Sequence, residues 1–589
     1  MALILSQALI SCGPAPVQST ATPVDTSVPT ESSMIKSVNI LDIHLDRAFY
    51  NPGDPVRLTL QIESQVDEAV PVRLRAVISH LTNVIEEIKN EFTLNECLQT
   101  IELSFTPPPE APRGYGIDLC IETESGTELK CGSAAFDVLQ HWTQTPRYGF
   151  LTDFFPGRSD ASQTMESLTR YHINGLQFYD WMFRHDQFLT DEEPYLDPLG
   201  RRLSLETVED LIAAAHERNI AAMPYTAIYA ASIPFYEEHQ EWALYQANGQ
   251  PYLLGENFLV YMDPRPDSPW VEHLLDQFNQ VLQQTAFDGV HLDQYGDPKE
   301  GYDVNGQRFE LAVPLAETIN ATKELVLLHR PRGAVVFNAV TNWPIETVAP
   351  SDQDFVYIEV WSPYNWFDDL HKLITNAQDL SEGKPVVLAA YIDPSLEHNA
   401  RLIDAVIFAS GGGHIELGEG HGILADPYFP KFQIMTPSLA EAMRRYYDFA
   451  VRYQDVIGPR TQDSTQNYLH RIEMEGVSTR PSMLTDKVWT IVREGDGFTA
   501  INFINLLSVE KPEWTSPVKD PPTPLEATTV KVFDVEREIS CIWFASPDLD
   551  DPSPQMLEYS QGIEEGKNVL LLQIPSLAYW DLVVIEWNK

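Results

Sequence analysis

The feature that most constrains this chain is a change of rhythm at Pro146. Beyond it, short apolar runs alternate with longer amphipathic stretches as far as about residue 458. The runs are RYGFLTDF (147–154), INGLQFYDW (173–181), IAAMPYTAI (220–228), FDGVHLDQY (287–295), AVVFNAV (334–340), FVYIEVW (355–361), PVVLAAYI (385–392) and AVIFASGG (405–412). Between them stand helical patterns such as LSLETVEDLIAAAHERN and SPWVEHLLDQFNQVLQQTA. Parallel neighbours in a sheet need a crossover, usually a helix, so β-α alternation implies a parallel sheet covered by helices. Eight units match an eight-stranded β/α barrel. A doubly wound open sheet is the alternative, but no Gly-rich dinucleotide turn follows the first run.

The flanks read differently. Before residue 142, SVNILDIHLD, PVRLTLQIES, VPVRLRAVIS, QTIELSFTP and YGIDLCIET alternate with period two and are cut by turns such as Asn51-Pro52-Gly53-Asp54. After residue 461, VWTIVRE, GFTAINFIN, ATTVKVFDV, NVLLLQIPS and WDLVVIEW do the same. The expected fold is multidomain: an N-terminal immunoglobulin-like β-sandwich over 38–142, a central (β/α)8 TIM-type barrel over 143–460, and a C-terminal antiparallel β-sandwich over 461–589. Residues 1–12 are short and apolar and end in the lipoprotein-like box Leu9-Ile10-Ser11-Cys12, although no Lys or Arg precedes Lys36. Residues 13–37 form a Pro/Ser/Thr-rich tract suited to a flexible tether. The expectation is a chain lipidated at Cys12 and held at the cell surface or released outside it; an unstructured tail with an incidental Cys is the alternative. Cys120 and Cys131 flank the turn at Ser125-Gly126, where they either face each other across a hairpin or stand as two thiols.

Charge narrows the partner. With 39 Lys+Arg against 86 Asp+Glu the formal net charge is −47. Such a surface repels polyphosphate, which excludes general nucleic-acid binding, and it disfavours anionic membranes and anionic polymers. A neutral ligand meets no such barrier, and membrane contact is expected only through the lipid anchor.

In a β/α barrel the carboxyl ends of the strands carry the site. There the sequence offers Asp153, Asp180-Trp181, Asp293, Asn338, Glu359-Val360-Trp361 and His414-Ile415-Glu416, with Tyr179, Tyr295, Trp343, Tyr364, Trp366 and Tyr391 nearby. Flat aromatics beside carboxylates and amides suit sugars, whose apolar faces stack while Asp, Asn and Gln take the hydroxyls. Retaining glycoside hydrolysis needs two carboxyl groups about 5–5.5 Å apart. Asp293 and Glu359 are the candidates, Asp293 as a nucleophile among polar neighbours. Glu359 would be an acid kept protonated by partial burial in FVYIEVW. Either may instead be a structural ion-pair partner. His414, Glu416, Glu419 and His421 are also metal-ligand types, but the glycines around them favour Glu416 as a sugar contact. Asp191-Glu192-Glu193 reads as a solvated loop.

YHINGLQFYDWMFRHD (171–186), FDGVHLDQYGD (287–297), FVYIEVW (355–361), GGGHIELGEG (411–420) and the later YFPKFQIMTPSLAEAMRRYYDFAVRYQDVI together resemble glycoside hydrolase family 66. That family comprises endo-dextranases and cycloisomaltooligosaccharide glucanotransferases. The resemblance implies a retaining mechanism on α-1,6-glucan, with Asp293 as nucleophile and Glu359 as acid/base and with no cofactor or metal. It also implies sugar contacts at Gln177, Tyr179, Asp180 and Trp181. Asn338, Trp361 and Glu416 join them from their strand-end positions. Around the nucleophile the family pattern is closer to FDGWQGDTIGD, and this chain departs from it at Val290, His291, Leu292, Gln294 and Tyr295. Short connections leave no room for the carbohydrate-binding module inserted in the glucanotransferases, so hydrolysis of dextran or isomaltooligosaccharides by a monomer is expected. Transglycosylation and non-catalytic glucan capture by a surface lipoprotein are the alternatives.

Overall fold

A computed structural model describes residues 34–255, 258–480 and 485–588. Cys12, the 1–12 segment and most of the 13–37 tract lie outside the described residues. The protein is multidomain and largely built of strands.

The N-terminal strands form two antiparallel sheets. Ile35–Leu45, Val56–Val66 and Cys97–Phe105 make one; Asn83–Leu94, Val70–His80, Arg113–Thr123 and Glu128–Val138 make the other. Period-two burial along Val56–Val66 turns Leu58, Leu60 and Ile62 toward Leu74, Ile78 and Leu119 of the other sheet. Two of these strands escaped the sequence reading. Asn83–Leu94 is almost wholly exposed or half-buried, so its apolar signal is weak. Cys120 and Cys131 are direct partners across the hairpin and form a disulfide.

The central sheet holds eight parallel strands in sequence order: β1 Tyr148–Leu151, β2 Gly175–Phe178, β3 Ala221–Ala227, β4 Gly289–Asp293, β5 Ala334–Val340, β6 Phe355–Glu359, β7 Val386–Ala389 and β8 Gly413–His414. Strand β8 pairs with β7, and Leu417–Gly418 just beyond it pairs with β1, so the curled, TIM-like sheet meets itself on residues 413–418. A helix follows each strand, among them Leu205–His216 after β2 and Pro269–Gln284 after β3. Each of these two is started by a serine, Ser204 or Ser268, whose hydroxyl accepts from a backbone N–H of the first turn. The run 405–412 was expected to be the eighth strand; it is instead the end of the helix Glu397–Ala409. Residues 402–409 of that helix are buried on every side, so they show no amphipathic period and read like a buried strand.

The C-terminal strands again make two sheets. One contains Val488–Gly495, Phe498–Asn505, Ile539–Ala545 and Trp580–Trp587; the other contains Ile472–Met474, Leu525–Phe533, Tyr559–Glu564 and Lys567–Leu577. Val492, Ile501, Phe503 and Val583 pack on Val530, Val532, Leu570 and Leu572. Buried arginines join the groups. Arg147 makes two bonds to Asp137, and Arg452 two to Asp118. The second needs glycine at Gly116, where a Cβ would lie 2.2 Å from the Arg452 guanidinium carbon.

Candidate active site

Strand periodicity decides which side chains face the inside of the curl. Ala221 and Met223 of β3, Ala334 and Val336 of β5, Phe355 and Tyr357 of β6, and Val387 and Ala389 of β7 share one inner core with Tyr148 and Phe150 of β1. Counting on by two, the same phase brings Tyr225, Asn338 and Glu359 inward at the carboxyl ends, and on β4 it brings His291 and then Asp293. Strands β4 and β5 approach so closely that a Cβ on Gly289 would sit 1.9 Å from the Ala334 carbonyl oxygen.

Asp293 and Glu359 share a donor. Asn338 Nδ2 donates to Asp293 Oδ1 at 2.7 Å and to Glu359 Oε2 at 3.0 Å. These two carboxyl oxygens are therefore at most about 5.7 Å apart (2.7 plus 3.0), within the compass of a retaining pair. Two acceptors on one amide fix its orientation as nitrogen toward the acids, and leave Asn338 Oδ1 buried without a partner, open to a ligand hydroxyl. Tyr225 donates to Asp293 Oδ2 at 2.6 Å. Tyr391 donates to Glu359 Oε1, and the nearby Trp361 indole favours the ionised form of Glu359.

Burial raises both carboxyl groups. On Asp293 the charge of Glu359 adds to the rise, while the bonds from Tyr225 and Asn338 oppose it. On Glu359 burial is opposed by Tyr391, Asn338 and Trp361. Asp293 has polar neighbours in Tyr225 and Asn338, but it is also buried, and with Glu359 beside it the pair favours holding one proton between them. Below them, burial lowers His291 to about 3, so it stays a neutral ring stacked on Tyr148.

Around the pair, Tyr179 stacks on Phe429 at 4.4 Å and leans on Tyr225. Gln177 lies inward on β2 with its Oε1 buried and unpartnered. Asp180 has left-handed backbone, φ 52°, and burial lifts its carboxyl to about 7 against the pull of Arg201. Trp361 is 38% exposed beside Tyr391.

Residues 45–584 match the model of glycosyl hydrolase family 66. The chain belongs to that family. A cycloisomaltooligosaccharide glucanotransferase of Niallia circulans is 23% identical over an alignment of 715 positions, covering 95% of this chain and 73% of the relative. A dextranase of Streptococcus salivarius is 22% identical, over 80% of this chain and 67% of the relative. Among solved structures, the cycloisomaltooligosaccharide glucanotransferase of a Paenibacillus species, determined with cycloisomaltoheptaose, superposes with a TM-score of 0.87 at 23% identity. That match covers 94% of this chain and all of the other, and it shows a shared fold.

In this family 66 protein two of the expected contacts lie away from the carboxylate pair. Trp181 is 1% exposed and packs on Phe287, because the chain turns inward after Asp180. Glu416 is wholly buried beside His414 and Asp404 and accepts from the Tyr447 hydroxyl. Burial pushes Glu416 up, but the imidazolium of His414 outweighs it and the carboxyl ends lowered. Burial pulls His414 down, yet Glu416 and Asp404 lift it to about 10. Asp404, raised by burial and by Glu416, keeps its proton. These three are of metal-ligating type, but both His414 nitrogens are engaged, Nδ1 with Asp404 and Nε2 with the Ala390 carbonyl. Glu419, another candidate, pairs with Arg158 and accepts from the Thr152 and Asp153 amides. Sequence reading passed over Tyr225. Its signal was present, since IAAMPYTAI carries one hydrogen-bonding ring in a strand whose one other polar side chain is Thr226.

Proposed function

We propose that this protein is a retaining endo-hydrolase of α-1,6-glucan. The layout behind that reading is a (β/α)8 barrel over 143–460 between β-sandwiches over 38–142 and 461–589. Polymer lies across the carboxyl ends of the strands. Asp293 attacks the anomeric carbon while Glu359 gives its proton to the departing glycosidic oxygen, and a covalent glucosyl-enzyme forms. Glu359, now ionised, takes a proton from water, and the water oxygen displaces Asp293. The supporting observation is the single Asn338 amide that holds both carboxyl groups within about 5.7 Å (2.7 plus 3.0) of each other. The mechanism needs the pair's one proton on Glu359; Tyr225 and Asn338 favour the ionised form of Asp293, and Tyr391 and Asn338 favour that of Glu359 once its proton has left. Gln177, Tyr179, Asp180 and Trp361 supply sugar contacts, and Asn338 Oδ1 accepts a hydroxyl.

The test separates the two carboxylates. Asp293→Asn should abolish release of reducing sugar from dextran. Glu359→Gln should still form the glycosyl-enzyme from an activated aryl glucoside, and azide should rescue it to a glycosyl azide of retained configuration. Azide with Asp293→Asn should give the inverted product. Rescue with the two configurations exchanged would reverse the roles, and dextran left intact by wild-type protein would end the hydrolase reading.

Transglycosylation, in which a sugar hydroxyl replaces the water, is the second reading, favoured by the glucanotransferase relatives. Chromatography of dextran digests distinguishes them, since cyclic products carry no new reducing end. We also infer export and anchoring through Cys12. The Cys120–Cys131 disulfide supports an oxidising compartment.

A further inference from the structure

The C-terminal sheets form an open cavity of about 410 Å³ remote in sequence from the carboxylate pair. Its size falls in the range of small-molecule sites. Tyr468, Arg471, Glu494, Asp534, Arg537 and Trp587 line it.

The walls are preformed. The Arg471 guanidinium lies over the Tyr468 ring at 4.7 Å and donates to the carbonyls of Asn467, Phe533 and Asp534, which staples one side of the cavity to the end of a strand. Glu494 accepts from Ser464, Tyr468 and Thr499, and Thr499 in turn accepts from the Trp587 indole. Those polar groups are already satisfied and make a stiff floor.

Arg537 is the exception. It is exposed, its guanidinium sits 4.9 Å from the centroid of Trp587, and it has no hydrogen bond or ion pair among the described residues. Its neighbour Glu536, also on the cavity, is likewise exposed and unpaired. A chain with 86 acidic residues against 39 basic ones thus leaves one arginine fork free at a cavity mouth. Three carboxylates against two guanidinium groups in the lining disfavour an anion, and the guanidinium over Trp587 blocks a cation from that ring. A free N–H fork beside a free carboxylate suits neighbouring hydroxyls, one accepting from Arg537 and the next donating to Glu536.

We propose that this cavity is a second α-glucan site, binding a short stretch of the same polymer away from the reacting bond. The choice of α-1,6-glucan rests on the function proposed above. A second grip raises the effective concentration of chain at the carboxylate pair without altering the chemistry.

Native electrophoresis in gels cast with dextran, alongside kinetics, tests this. Wild type, Arg537→Ala and Arg537→Ala/Glu536→Gln should melt within a few degrees of one another, because Arg537 gives up only an exposed contact with the Trp587 ring and Glu536 has no partner among the described residues. The variants should run faster than wild type through dextran. Their KM for long dextran should rise on the order of three-fold or more, with kcat, and all constants for isomaltotriose, unchanged. If wild type cleaves dextran and the variants match it in mobility and KM, the second site is refuted while the active-site reading stands. If wild type neither cleaves dextran nor is slowed by it, the same gels are cast with starch and with a neutral β-glucan. Retardation there that is lost in the variants upholds a sugar site and overturns its α-1,6 assignment; no retardation in any gel overturns the site itself.

Discussion

Asn338→Ala removes both halves of the bridge between the carboxylates at once. Each bond to a charged group is worth about 1.5–3 kcal/mol, and at 5% exposure Asn338 gains little compensation from water. The full sum does not appear in the rate. As Asp293 attacks, its negative charge passes into an ester, and as Glu359 gives up its proton, negative charge appears there. One amide therefore donates to the charged partner before and after the step, so most of its electrostatic value cancels between ground and transition states. What remains is the loss of positioning of the two acids. For that remainder we expect about 2–3 kcal/mol, or roughly 30- to 150-fold in kcat/KM on dextran. The pH profile supplies an independent sign. Asn338 lowers the pKa of both carboxyl groups, so its removal should lift both, and the acidic limb, where Asp293 must ionise, should move to higher pH. Reducing-sugar rates measured across the pH range report both effects. A loss below about three-fold with an unmoved acidic limb would refute the bridging role.

Further outcomes follow from the same geometry. Tyr225→Phe deletes the 2.6 Å donor to Asp293, so kcat should fall roughly ten-fold or more while the melting temperature barely changes. Trp361→Ala should raise KM with little effect on stability, whereas Trp181→Ala should cost about 3–5 kcal/mol of stability, read by urea unfolding, because that ring is core. Glu416→Gln leaves the buried His414 imidazolium without its counter-charge and should destabilise by about 3–5 kcal/mol. His414 is raised from 6.5 to about 10, so its contribution is complete below pH 6.5 and is lost as pH climbs to about 10. The wild-type melting temperature should fall over that window, and the fall should be shallower in Glu416→Gln. Opening the Cys120–Cys131 loop by Cys131→Ser should cost about 2–3 kcal/mol, measured as a shift in the urea midpoint.

The sequence was most legible where burial is one-sided. Alternation along PVRLTLQIES or VPVRLRAVIS, and the amphipathic face of SPWVEHLLDQFNQVLQQTA, each report a single buried side, and those elements stand where the pattern put them. It was least legible at the extremes. AVIFASGG is buried on every side and was read as a strand although it ends a helix; NVIEEIKNEFTL is scarcely buried and gave no strand signal. At the candidate site, strand-end position and parity sufficed to bring Asp293, Asn338 and Glu359 together. Trp181 and Glu416 were also at strand ends, yet the backbone turns at Asp180 and between β8 and Leu417 carry them away from the rim, and no periodicity records a single-residue turn.

The two buried acid clusters of the central sheet show what separates a reactive pair from a structural one. Asp404 and Glu416 enclose His414, whose positive charge neutralises Glu416 while Asp404 keeps its proton, so the cluster is internally balanced and its protons have nowhere to go. Asp293 and Glu359 are bound by a phenol apiece and a shared amide, with an indole close to Glu359, all uncharged, and neither forms an ion pair among the described residues. Neutral donors orient a carboxylate without fixing its charge. The negative charge can then move from one acid to the other as a bond breaks between them, which a cation beside either would oppose by holding it in place. From the sequence alone both clusters are acids near strand ends. Only the identity of the donors, assembled from β3, β5 and the segments after β6 and β7, distinguishes them, and on that basis a lysine introduced at Tyr225 should leave the fold intact yet cost more activity than phenylalanine at the same position. Equal losses from the two substitutions would show that position, and not the absence of charge, is what Tyr225 contributes.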